Sequence, residues 1–136
     1  MLDKKTIYYG GRGSQVELCD ILCKDGTFIH VKHYQGSSTL SHLFNQGLVS
    51  ARLVKADPSF RKCAQVVLDK IEPNCFKLER DSVKQVVFAI ISKFDAVRPE
   101  IPFFSKVALD AVCSQLAAMD IDVALARIKE VRADCG

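Results

Sequence analysis

Three residues within one short stretch have the types and spacing for phosphodiester chemistry. Asp20 interrupts the apolar run VELCDILC at residues 16–23, and His30 and Lys32 stand two apart in FIHVKH at residues 28–33. Residues two apart on a strand leave the same face of a sheet. An Asp on one strand beside an X-x-Lys on the next is the arrangement a metal-dependent phosphodiesterase needs. Carboxylates hold a hard divalent cation, the cation acidifies its bound water, and a nearby Lys positions or activates the nucleophile. Glu17 is the other carboxylate close by. On an ideal strand it faces away from Asp20, so both can reach one metal only through a bend or bulge.

Two strands and a helix must position this set. Val16 to Cys23 is β-rich, Lys24-Asp25-Gly26-Thr27 supplies Asp-Gly turn chemistry, and Phe28 to His33 alternates again. Gly36-Ser37-Ser38-Thr39 breaks the pattern and offers N-cap residues for a helix beginning near Leu40. Thr6 to Tyr9 reads as an earlier strand, and Gly10 to Ser14 as the loop that makes the first three strands a meander. The glycines fit neither a dinucleotide fingerprint nor a P-loop.

Further along, Leu40 to Val54 has helical spacing, and Asp57-Pro58 opens a second helix that ends near Glu72-Pro73-Asn74. Val83 to Ser92 is a near-continuous β-branched run, the pattern of a strand covered on both faces and joined by a crossover. Phe103 to Met119 follows Pro102 as a helix with Ser105 as its cap, and Ile121 to Val131 alternates as a last strand. The order β-β-β-α-α-β-α-β is an α/β fold, bordering on α+β, with a mixed central sheet flanked by helices.

Asp20, a hairpin turn, His30-Val31-Lys32 and a helix carrying Gln46 resemble the core of the PD-(D/E)XK nuclease superfamily, the restriction-endonuclease-like fold. That resemblance implies Asp20 on a metal, Lys32 on the nucleophile or scissile phosphate, and Gln46 orienting either one. His30 stands where the family has a carboxylate. A neutral imidazole is a poorer ligand for Mg²⁺ and suits Mn²⁺ better. The family's acidic helix before the first strand has no counterpart here. The wording FIHVKHYQGSSTLSHLFNQG also resembles, more closely, the C-terminal part of a sporadically distributed family of bacterial proteins of unknown function. These likenesses imply a nuclease-like domain over residues 1–136, as a C-terminal piece of a longer defence or restriction-type protein.

Composition bounds the alternatives. One hundred and thirty-six residues make one domain, and 49% hydrophobic with 26% charged residues is ordinary for a globular chain. The net charge of +3 advertises no nucleic-acid footprint by itself. A local cluster, Arg52, Lys55, Arg61 and Lys62, is either a solvated face or, with Lys32, a contact for a phosphate backbone. No apolar run reaches the ~20 residues of a membrane span and no signal-peptide region opens the chain, so the expected compartment is the cytoplasm. The six cysteines lack paired zinc spacing and read as buried or free thiols.

Three readings follow: a metal-dependent nuclease using Mg²⁺ or Mn²⁺ on DNA or RNA, the same fold binding nucleic acid without cutting it, and a protein-interaction or homo-oligomerisation module. The bland alternative for the residues themselves is that Asp20 is an edge-strand charge, with His30 and Lys32 on the solvent face of a half-exposed strand.

Overall fold

Asp25-Gly26 makes the turn on which the main sheet starts. In the computed structural model of the chain, which describes residues 6–8, 15–74, 76–92 and 103–129, Asp25 Oδ1 accepts from the Thr27 N–H at 3.0 Å. Gly26 has φ +93°, and a Cβ there would lie 2.5 Å from the Ser82 carbonyl oxygen, so both backbone and space demand glycine. The turn joins β3 (Ile21–Leu22) to β4 (Thr27–His33) in an antiparallel pair.

From β4 the chain runs through α1 (Ser37–Ala56) and α2 (Pro58–Ile71) to β5 (Gln85–Ser92), then through α3 (Phe103–Ala117) to β6 (Asp122–Lys129). Asp57 caps α2, its Oδ1 accepting from the N–H groups of Ser59 and Phe60 at 3.0 and 3.1 Å, with Pro58 at the first helical position. β5 lies parallel to both β4 and β6, and the sheet order is β3-β4-β5-β6. This is the mixed α/β architecture and the element order expected from hydrophobic period.

Both crossovers step the same way across the sheet, so right-handed connections put α1 and α3 on one face. The core records this. Phe28, Val86, Phe88 and Ile90 share it with Leu40, Leu43, Phe44 and Leu48 of α1 and Val112 and Leu116 of α3. On the opposite face the small Ala89 is buried, but Ile29, Val31, Val87, Ile91, Ala124 and Ala126 are only partly buried, and all of them lie outside that core. The expectation that residues 83–92 are covered on both faces therefore holds for one face among the described helices.

The three-stranded meander is also corrected. β1 (Thr6–Tyr8) and β2 (Gln15–Glu17) form a separate antiparallel ribbon, and the stretch 16–23 is broken between β2 and β3. Leu18 and Cys19 are consecutive yet both buried, which a strand covered on one face only cannot arrange. Ser50 Oγ donates to the Leu18 carbonyl at 2.6 Å and ties this break to α1. Ser105 lies buried inside α3 instead of capping it. The glycine cluster at 10–14, Pro102, Cys75 and Cys135 lie outside the described residues.

Gly47 lets α1 approach the sheet. A Cβ there would sit 2.5 Å from Phe88 Cε1 and 2.7 Å from Cζ, and Phe88 is fully buried. Alanine would gain about 1 kcal/mol of helix propensity, against about 1–3 kcal/mol for overpacking a filled core. Gly47→Ala is expected to destabilise by up to about 2 kcal/mol in urea unfolding, and a stabilised variant would contradict the close approach. No helix among the described residues is long and apolar enough to cross a membrane.

Candidate functional site

Asp20 lies at the bend where the chain leaves the core for β3. Its N–H donates to the Ile29 carbonyl at 2.9 Å, and its Oδ2 accepts from the Val31 N–H at 2.7 Å. The carboxylate thus continues the β3–β4 ladder after the main chain has turned away. Asp20 acts as more than an edge-strand charge, since it closes the hydrogen-bonding row along β4 beside His30 and Lys32.

His30 does not face solvent. Its register partner is Phe88, on the helix-covered face, and it is 2% exposed with its ring centroid 6.1 Å from that of Phe88. Burial lowers its pKa to about 4, opposed by the nearby Asp20 carboxylate. The imidazole is therefore neutral at physiological pH, and its Nε2 has no hydrogen-bond partner. Glu17, the second candidate carboxylate, is engaged by Gln46, whose Nε2 donates to Glu17 Oε2 at 3.5 Å. Gln46 thus pairs with Glu17, where the nuclease likeness has it orient Asp20 or Lys32.

These donors do not fit a divalent cation. Asp20 has an oxygen on a backbone amide, His30 Nε2 is sealed in the core, and Glu17 is held from α1. Among the described residues no group of three or more His, Cys, Asp or Glu side chains could hold a metal ion. Cys19 adds no ligand either: burial, with Asp20 and Cys23 adding to it, pushes its thiol up to about 12. The described cysteines Cys19, Cys23, Cys63 and Cys113 are free thiols.

Lys32 lies in a different setting. Across the parallel strands its register partner is Ile90, and Ile90 in turn pairs with Arg127. Lys32, Ile90 and Arg127 form one row on the helix-facing side, with the backbones of the two cationic residues about 10 Å apart at a spacing of roughly 4.8 Å per strand. The row lies toward the carboxyl ends of the three parallel strands. α1 starts just beyond β4 at that edge, with Gly36 at its N-cap, no side-chain cap bond and no acidic residue in its first turn. The carboxyl edge of parallel strands, faced by helix N-termini, is where open α/β sheets bind ligands, anions in particular.

The other proposed nucleic-acid contacts lie far from this row. Arg52, Lys55, Arg61 and Lys62 flank the C-terminal end of α1, about 25 Å away at 1.5 Å per residue. Most of their charge is committed. Arg61 Nη1 donates to the Val54 and Lys55 carbonyls at 2.7 and 3.2 Å, capping α1. Lys55 Nζ donates to the Met119 carbonyl at 2.6 Å and pairs with Asp81 at 3.8 Å, and Arg52 bonds Gln115. Lys62 is exposed beside a groove of about 690 Å³ shared with Arg61, Gln65, Asp69 and Phe76. Lys32 and this cluster are thus two places, and most of the cluster has structural work.

Arg127 is the residue that sequence reasoning missed. Its signal was a cation within the apolar alternation of the last strand, but its relation to Lys32 exists only once β5 is inserted between them.

Fold and site together define an α/β domain in which, among the described residues, α1 and α3 cover one face of a mixed four-stranded sheet and Lys32 and Arg127 stand at the carboxyl edge of its parallel strands. The chain belongs to a family of unknown function, DUF6119, whose match covers residues 1–129. No curated protein and no solved structure matches it. The likeness to PD-(D/E)XK nucleases accordingly rests on Asp20, His30-Val31-Lys32 and Gln46 alone.

Proposed function

We propose that this domain is a non-hydrolytic module, nuclease-like in element order, that binds the phosphate backbone of a nucleic acid at the carboxyl edge of its parallel strands. The observation that carries this is the row Lys32–Ile90–Arg127, next to a helix α1 that begins without a side-chain cap. Two cations on strand positions about 10 Å apart, beside a helix N-terminus with no side-chain cap, favour a chain of phosphates over a single small anion. The neutral, buried His30 and the dispersed carboxylates support binding over hydrolysis.

Fluorescence anisotropy with labelled single- and double-stranded oligonucleotides tests this, using variants that keep the wild-type far-UV spectrum. Lys32→Ala and Arg127→Ala should each weaken binding about equally on every sequence, whereas Lys62→Ala, at the far end of α1, should leave it unchanged. Loss of binding with Lys62→Ala alone would move the site to the other end of the molecule. Cleavage in Mg²⁺ or Mn²⁺ that Asp20→Ala abolishes would make the domain a nuclease and overturn the non-hydrolytic reading.

A further inference from the structure

We propose that Phe103 and Phe104, in the first turn of α3, form a stacking subsite for the bases of a single-stranded nucleic acid, an inference that rests on the phosphate-binding reading above. The two rings are 73% and 78% exposed and pack edge to face with centroids 5.6 Å apart. Val107, one turn on, is 53% exposed and continues the apolar stripe. Scattered surface hydrophobics are normal, but two adjacent phenylalanines that each show most of their surface are an unmet apolar demand.

Their position decides what would meet it. The C-terminal halves of α1 and α3 are tied together by Lys55 to the Met119 carbonyl and by Arg52 to Gln115. The helices therefore run side by side in the same direction, and the first turn of α3 lies at the same edge as the first turn of α1. α3 has no acidic residue in that turn and carries the exposed Lys106 there. Along the sheet, the 15 residues of α3 reach back about 20 Å from the start of β6. That is roughly the distance from Asp122 to the level of Arg127 and Lys129 at about 3.3 Å per strand residue.

An exposed aromatic pair beside a cationic edge is complementary to a polyanion with unpaired aromatic bases. Single-strand binders combine a basic track with aromatic rings on which bases stack. A duplex hides its base faces and would gain only the backbone contacts.

The full chain is titrated with a labelled single strand, an abasic strand of equal length and a duplex. Phe103→Ala and Phe104→Ala should each weaken single-strand binding about tenfold and leave the abasic strand and the duplex unchanged. Phe104→Trp should retain or tighten single-strand binding. Equal single-strand affinity of wild type and both alanine variants would overturn the stacking subsite while leaving the phosphate edge standing. Absence of binding to all three ligands would overturn both. A wild-type dimer that Phe104→Ala converts to monomer, with nucleic-acid binding unaltered, would assign the pair to a second copy of this chain and overturn the subsite.

Discussion

Replacing Phe88 by alanine is expected to remove about 4 kcal/mol of folding stability. Phe88 lies on β5, in the middle of the helix-covered face, with no exposed surface. Its ring meets Phe44 of α1 edge to face at 5.1 Å and lies 6.1 Å from His30 of β4, and Gly47 has no side chain so that the same ring can fit beneath α1. Truncation would leave a ring-sized cavity between a helix and two strands. The rigid backbone of the parallel sheet cannot close such a hole, so the cavity adds to the lost transfer energy. Urea unfolding followed by far-UV dichroism reads this directly. A loss below about 1 kcal/mol would mean that α1 does not pack on β5 as described.

The second large effect is a pH dependence set by His30. Its folded pKa is depressed to about 4 from an ordinary 6.5, first by burial and against the opposing pull of Asp20. Between those values the unfolded chain binds a proton that the folded chain refuses. Unfolding therefore becomes easier as pH falls: the stability is fully present above about 6.5 and is lost progressively down to about 4. A shift of this size corresponds to about 3 kcal/mol. His30→Met, which keeps the volume and removes the unpartnered Nε2, should flatten the stability profile over that window. It should be near neutral at pH 7, because an apolar group replaces a buried nitrogen that has no partner. Parallel profiles for wild type and His30→Met would show that His30 reaches solvent and titrates normally.

Much of the fold is legible locally. Asp25-Gly26 announces a turn, Asp57-Pro58 announces a helix start, and the near-continuous β-branched run at 83–92 announces a strand; each is a signal carried by neighbouring residues. The break at Leu18-Cys19 is not of that kind. Its cause is the Ser50 hydroxyl 32 residues away, which takes the carbonyl a continuous strand would have used. The site shows the same division. That His30 and Lys32 share a face follows from period alone, but which face the helices cover depends on the handedness of two crossovers. Lys32 and Arg127 become neighbours only through Ile90, and no spacing in the chain relates residues 95 positions apart. The Arg52–Lys62 cluster misleads for the converse reason: cations close in sequence around a helix junction are drawn to the free carbonyls at its end.

The most direct measurement is the salt dependence of nucleic-acid binding in wild type, Lys32→Ala, Arg127→Ala and the double variant. Each phosphate contact releases condensed counterions, so log K falls linearly with log salt, and the steepness counts the contacts. Each single substitution should reduce the slope by about one unit and the double variant by about two. A slope unchanged in the double variant, or no binding at low salt, would contradict a phosphate-binding edge formed by Lys32 and Arg127.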